Sequence, residues 1–288
     1  MKSLNRPLLA MLLLPALKLS SFAADGSPGS RAGEQGALAP KLGSSAFIWD
    51  ELKVMPTGVG ERRDVARNPT ATLEEFESHI STLNPGQPSH APHRHPQEEL
   101  IILKEGTLQV HINGTEQVVG PGSLFFFASY DAHAVRNIGK VPATYYVFNF
   151  ATATTKTIPT TPAAESAGPG KLPSSVFDWE KLAVVPTAKG ERREVVNSPT
   201  VTLTNLESHV TTLRGGEEAH PSHHHPDEEI IVVKDGLVQA TINGTAQRGG
   251  PGTIFFFGSN DQHGLRNIGT ANATYYVLRI VTSATPKA

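Results

Sequence analysis

The chain contains no cysteine. Disulfides and thiolate metal sites are therefore excluded, and any bound metal has to sit on nitrogen and oxygen ligands. There is no basic tract, and the formal net charge is −2 with a pI near 6.6. That charge pattern leaves no footprint for a nucleic-acid partner. Long apolar runs are missing as well. The longest, Leu8 to Leu19, is too short to span a bilayer. It follows Lys2 and Arg6 and precedes Ser21-Phe22-Ala23, which puts small residues at the two positions a signal peptidase reads. This pattern predicts a cleaved signal peptide over residues 1–23 and a mature chain beginning near Ala24. The protein is expected to be exported, periplasmic or extracellular, with no membrane attachment after cleavage.

What the sequence does contain is repetition. His93-Arg-His95-Pro-Gln-Glu98-Glu99 returns as His223-His-His225-Pro-Asp-Glu228-Glu229 after a shift of 130 residues. The same shift relates Trp49 to Trp179, Gly122 to Gly252, His133 to His263 and Tyr145 to Tyr275, without a gap. A period this long means tandem domains, because solenoid repeats are much shorter. Each half has the length of an ordinary domain. The 26 glycines and 22 prolines punctuate short runs of valine, isoleucine, threonine and phenylalanine, which predicts an all-β fold with about ten short strands per copy. Asn113-Gly114 and Asn243-Gly244 are two-residue hairpin turns, since Asn-Gly supplies two positive φ angles. Ser44 or Ser45 is placed to cap a short helical turn through Trp49 and Leu52. The expected divisions are a flexible lead-in over 24–43, a first domain over 44–152, a linker over 153–173 and a second domain over 174–284.

Side chains two apart on a strand share a face. His93 and His95 would therefore point together into a barrel, with Glu99 on the same parity and Glu98 on the other, although Pro96 stands between them. His133 would reach the same space from a neighbouring strand. Three imidazoles and one carboxylate suit a divalent transition metal such as manganese, iron, nickel, cobalt or copper, one ion per barrel, and six-coordinate ions would keep two positions open. The second set is His223, His225, Glu229 and His263.

The spacing His93-x-His95-x3-Glu99-x6-Gly106, with Pro121-Gly122 and His133-x3-Asn137, resembles the two motifs of the cupin superfamily. The second copy repeats it from His223 to Gly236 and from Pro251 to Asn267. The resemblance covers nearly all of residues 41–286. It implies two tandem double-stranded β-helix barrels of germin-like type, a bicupin, with the same eight side chains as metal ligands. Six residues rather than five separate Gly86 from His93, which lengthens a loop. The ligand set is similar to that of the oxalate decarboxylases. That family carries an arginine three residues before its first ligand, where this chain has His90 and His220, and an acidic lid segment that has no counterpart here. Quercetin-type dioxygenases usually have one more residue before the glutamate.

The expected function is metal-dependent chemistry of oxidoreductase type, dioxygenation or decarboxylation, on a small oxygen-rich molecule. The alternatives are a non-redox sugar isomerase or lyase, and a metal- or ligand-binding module without turnover. His79 and His209, on the strand before the ligands, are the candidates for moving protons. Arg136 and Arg266 are expected to face outward onto carboxylates. Phe125 to Phe127 and Phe255 to Phe257 are expected in the core, and one of each pair Tyr145/Tyr146 and Tyr275/Tyr276 in the cavity. Beyond a small-molecule substrate, a homo-oligomer is compatible with the pattern, as in many cupins.

Overall fold

The computed structural model describes residues 39–287. The expected signal peptide and most of the lead-in lie outside the described residues. Among the described residues no helix is long and apolar enough to cross a membrane.

Each half contributes ten strands. The first half supplies β1 (Ser45–Phe47), β2 (Met55–Thr57), β3 (Gly60–Asn68), β4 (Glu75–Leu83), β5 (Glu98–Glu105), β6 (Leu108–Ile112), β7 (Thr115–Val119), β8 (Leu124–Phe127), β9 (His133–Asn137) and β10 (Ala143–Ala151). The second supplies β11 (Ser175–Phe177), β12 (Val185–Thr187), β13 (Gly190–Ser198), β14 (Asn205–Leu213), β15 (Glu228–Asp235), β16 (Val238–Ile242), β17 (Thr245–Gly249), β18 (Ile254–Phe257), β19 (His263–Asn267) and β20 (Ala273–Val281). The Asn-Gly hairpins form as expected between β6 and β7 and between β16 and β17, with φ of 47° at Asn113 and at Asn243.

Each barrel joins a seven-stranded sheet to a three-stranded one. The large sheets run β11-β8-β5-β10-β4-β3-β2 and β1-β18-β15-β20-β14-β13-β12, and the small ones β7-β6-β9 and β17-β16-β19. The large sheets therefore cross the divide implied by the sequence repeat. β1 pairs antiparallel with β18 of the second half, and β11 pairs with β8 of the first. The bounds 44–152 and 174–284 follow the repeat, but neither large sheet closes within them. The linker is also packed down rather than loose: the Ala163 and Ala164 N–H groups donate to Ser129 O and Asp131 Oδ1, at 3.0 and 2.9 Å.

Alternation explains how two cores arise from one set of strands. On β5, Ile101 and Leu103 point into the first barrel, while Leu100 and Ile102 point at the second. On β8, Phe125 and Phe127 point in and Phe126 points across. The crossing residues merge with Leu206, Ile230, Phe256 and Tyr276 into one apolar layer between the barrels, where Phe76 stacks on Phe256 at 5.4 Å. Strands buried on both faces read as continuous apolar runs, which is why Leu124 to Phe127 shows no alternation. All six phenylalanines of the two triplets are buried, as expected.

Polar contacts lock the same interface in reciprocal pairs. Glu98 is fully buried and accepts from Thr200 Oγ1, Val201 N, Thr202 N and Thr202 Oγ1. Glu228 does the same with Thr70, Ala71 and Thr72. Ser44 does not cap the turn at Trp49–Glu51, which lacks a side-chain cap. Its hydroxyl donates instead to Asp261 Oδ2 in the second half at 2.6 Å, as Ser174 does to Asp131. Trp49 lies against Gly252, where a Cβ would meet the ring at 2.5 Å on a backbone with φ of 96°, and Trp179 lies likewise against Gly122. Arg63 and Arg193 cover these two indoles at 4.5 and 4.3 Å from the ring centres.

This exchange predicts that removing residues 39–48 weakens the half in which they do not lie in sequence. Amide hydrogen exchange should accelerate in β18, which loses its edge partner, while β8 stays protected under β11. Faster exchange confined to the first half would overturn this pairing.

Candidate metal centre

His133 and His263 open β9 and β19, while the other four imidazoles sit just outside regular strands. His93 and His95 belong to the irregular segment before β5, not to a strand as the parity argument assumed; Pro92 and Pro96 flank them, and proline lacks the N–H that a sheet ladder needs. The segment is fixed by other means. His93 and His133 exchange backbone hydrogen bonds at 3.2 and 3.0 Å, and the Tyr130 N–H donates to His95 O at 2.9 Å. Ser129 Oγ donates to Pro96 O at 2.7 Å. The second copy repeats the arrangement with His223, His263, Asn260 and Ser259.

These constraints bring three rings together in each barrel. In the first, ring centres lie 5.1 Å apart for His93 and His95 and 4.7 Å for His133 with either of them. In each barrel the ligand atoms of the triad lie within 4.8 Å of one another, so His93, His95 and His133, and likewise His223, His225 and His263, could hold a metal ion. The Nδ1 atoms of His95 and His133 face the carbonyls of Gln97 and Asp131 at 3.0 and 2.9 Å. A carbonyl only accepts, so Nδ1 carries the proton and Nε2 keeps its lone pair. The Nε2 atoms of His133, His225 and His263 are buried without a hydrogen-bond partner. Buried polar atoms are rarely left unpaired, and orphaned nitrogens converging with a carboxylate are what an ion would satisfy. Glu99 Oε2 lies 3.7 Å from His95 Nε2, and Glu229 Oε2 lies 3.3 Å from His225 Nε2. Phe127 and Phe257 stack on His133 and His263 at 4.4 Å and fix those rings.

Electrostatics prepare most of these rings for a cation. Burial, with the neighbouring imidazoles His90, His133 and His95, pushes His93 down to about 4. Burial also lowers His133, His223 and His263, so these rings are neutral and ready to coordinate at neutral pH. For Glu99, burial works against ionisation, but the bond to His95 and the imidazoles gathered around it outweigh it and hold the carboxyl below its ordinary range. His225 differs. Burial disfavours its charge, yet the contacts with Asp227 and Glu229 prevail and push it up to about 9.

His79 lines the same cavity of about 530 Å³, and His209 lines its counterpart of about 600 Å³. Both rings are oriented by a carboxylate that sequence reasoning missed: His79 Nδ1 lies 2.8 Å from Glu77 Oε1, and His209 Nδ1 lies 2.7 Å from Glu207 Oε1. The Arg62 guanidinium and the Asn149 amide hold the two oxygens of Glu77 at 2.9 and 2.8 Å. The signal was present in the alternation Glu75-Phe76-Glu77-Ser78-His79, whose odd-numbered members face the cavity. Tyr145 and Tyr275 line the cavities while Tyr146 and Tyr276 join the layer between barrels, as parity predicts. His90 and His220 are exposed at the mouths, their rings 4.0 and 4.1 Å from His93 and His223. Arg136 faces outward as expected, but its Nε donates to the Gly86 carbonyl and not to a carboxylate. That carbonyl is the nearer acceptor because the Gly86 loop pairs with β9.

The cupin-domain family model matches residues 79–149 and again 209–279. Among solved structures, the chain is similar to AerE from Microcystis aeruginosa, with a TM-score of 0.60 and 14% identity over 80% of this chain and 98% of that one. It is similar to the oxalate decarboxylase of Lactobacillus farciminis in a formate complex, with a TM-score of 0.62 and 14% identity over 86% of this chain and 88% of the other. A variant of the Bacillus subtilis oxalate decarboxylase gives a TM-score of 0.61 and 15% identity over 85% and 79%. A comparison with curated proteins finds none that matches. With two barrels built on the same topology, each carrying its own histidine triad and each matched by the cupin-domain model, the chain belongs to the cupin superfamily and is a bicupin.

Proposed function

We propose that this protein is an exported metalloenzyme holding one divalent transition-metal ion per barrel, and that it acts on a small oxygen-rich molecule by dioxygenation or decarboxylation. One observation carries the reading. Each cavity combines at least one orphaned imidazole nitrogen, a largely buried carboxylate and a separately oriented imidazole–carboxylate pair, in a volume suited to a small ligand. In this reading His93, His95, Glu99 and His133 hold the first ion, and His223, His225, Glu229 and His263 the second. A bound ion of this kind polarises a carbonyl or carboxylate oxygen, and its redox-active members also relay single electrons.

The protein's own groups supply the rest. Glu77 accepts the Nδ1 proton of His79, so Nε2 is the atom that takes up or returns a substrate proton. Arg62 and Asn149 keep that carboxylate ionised and in place. Burial raises the Tyr145 hydroxyl far above its ordinary range, so it remains a neutral donor facing the cavity. Aromatic and aliphatic walls from Phe127, Ile101 and Val147 limit the room around the reacting group. The solved neighbours include oxalate decarboxylases, one of them described through its manganese(II) centres. Manganese and oxalate are accordingly the first ion and first substrate to try, with catechols and enediols beside them. Because this chain places His90 and His220 where that family has arginine, other oxygen-rich acids belong in the same panel.

Metal analysis of the purified chain should give two ions per molecule. The double substitution His93→Ala with His95→Ala should halve that content and leave the second barrel loaded; a chain that takes up no transition metal overturns the reading.

His79→Gln should keep the metal content and lower turnover by about 10²–10⁴-fold, the usual scale for a lost acid–base group. Assays with and without oxygen separate dioxygenation from decarboxylation, and ligand retention without product under either condition would leave a binding module.

The export reading rests on the first 23 residues alone. Mass spectrometry of the protein recovered from its native host should find a mature N-terminus at Ala24, outside the cytoplasm; an intact Met1 in the cytoplasm would defeat it.

A further inference from the structure

Behind one ligand imidazole of each triad, the two barrels differ at a linked pair of positions. Where the first barrel has Gln97 and Asn149, the second has Asp227 and Arg279. In the first barrel His95 Nδ1 meets the backbone carbonyl of Gln97 at 3.0 Å, and Asn149 turns away to bind Glu77. In the second, His225 Nδ1 meets the corresponding carbonyl of Asp227 at 2.9 Å and also its carboxylate, with Oδ1 at 3.2 Å. Arg279 grips that carboxylate with two bonds, Nε to Oδ2 at 2.7 Å and Nη2 to Oδ1 at 3.1 Å. Asp227 is buried, while the Arg279 side chain that holds it is partly exposed.

A carboxylate behind an imidazole fixes the ring and strengthens its free nitrogen as a ligand, and the loss of such a partner typically costs 10–100-fold in metal affinity. Arg279 keeps Asp227 in place, and the pair presents its negative end to His225. The adjoining distance agrees: Glu229 lies 3.3 Å from His225 Nε2, against 3.7 Å for Glu99 and His95. One contact runs the other way. His93 Nδ1 lies 3.3 Å from His133 O, whereas His223 Nδ1 is buried without a partner. A contact of 3.3 Å exceeds the normal N–H···O range and contributes little, so the charged pair decides the order.

We propose that the two barrels bind their ions with unequal strength, that the second is the tight site, and that Asp227 and Arg279 are the positioning residues that make it so. The first site is then the exchangeable one, filled last and emptied first. This rests on the reading that each barrel holds an ion.

The test is calorimetric titration of the metal-free full-length protein with manganese(II) or cobalt(II). Two phases are expected, their dissociation constants at least about tenfold apart. His223→Ala with His225→Ala should remove the tight phase, and His93→Ala with His95→Ala the weak one. The exchange D227Q with R279N, which recreates the first barrel's pair without orphaning a charge, should bring the two phases together, while the surviving first-site phase reports that the fold is intact. The reciprocal exchange Q97D with N149R should tighten the first site. Two sites of equal affinity, or a tight phase lost with His93 and His95, overturn this inference and leave the proposed function standing. Absence of any uptake overturns both.

Discussion

The structure depends on two buried carboxylates, each held by the opposite half. Glu98 and Glu228 lie between the barrels, out of water, where burial pushes both carboxyls up. A charge in such a place is costly unless it is hydrogen-bonded. The Thr-x-Thr turns at Thr70–Thr72 and Thr200–Thr202 meet that need with two hydroxyls and two amides apiece. Breaking either set leaves a buried group without partners, so the barrels cannot separate without exposing or stranding it. The neighbouring residue in each case is Glu99 or Glu229. Alternation along a strand sends one glutamate to the mate and the next to the cavity, so the anchor of the interface and the carboxylate of the candidate metal centre share a peptide bond.

Much of this is legible in the sequence. The shift of 130 residues marks the duplication, the Asn-Gly pairs mark the hairpins, and parity separates Glu98 from Glu99 and Tyr145 from Tyr146. The exchange of β1 and β11 was not legible, for a physical reason. A repeat shows which segments are alike; whether each first strand closes its own sheet or its twin's leaves the same repeat in the sequence. The role of Ser44 was misread for the same reason, because its acceptor, Asp261, is 217 residues away. The loop position of His93 and His95 follows from the flanking prolines, which override a parity rule that presumes a continuous strand. Glu77 was visible on the right face of β4, but a glutamate beside a histidine becomes meaningful only when Arg62 and Asn149 arrive from other strands.

Proton and metal compete for the same nitrogens, and the barrels answer this differently. In the first, burial and crowding by other imidazoles suppress protonation of His93 and His133. In the second, Asp227 and Glu229 stabilise positive charge at His225. A metal ion has to displace that proton, and the same two carboxylates then favour the cation that replaces it. Local charge, rather than the identity of the ligand set, thus separates two sites that the ligand motif makes look identical.

The specific contacts that join the barrels are duplicated, and the cavity walls are not. The residues of the reciprocal polar and glycine–indole contacts are the same in both halves: Ser44 and Ser174, Trp49 and Trp179, Thr70 and Thr200, Glu98 and Glu228, Gly122 and Gly252, Asp131 and Asp261, whereas the apolar layer around them varies in size and shape, as in Phe76 against Leu206 and Phe148 against Leu278. The cavity walls differ, with Val59 against Lys189, Ser81 against Thr211, Ser89 against Ala219, Ala134 against Gly264 and Asn149 against Arg279. Each residue of these reciprocal contacts has a fixed partner in the opposite half. Changing it alone strands that partner, as an aspartate would be stranded by losing Ser44 or an indole would be displaced by a side chain at Gly252. A wall residue meets solvent or ligand and can change without a partner. The same reciprocal contacts that join the barrels therefore leave their interiors free to diverge, and a duplicated chain of this design is suited to holding two metal centres of different character on one rigid frame.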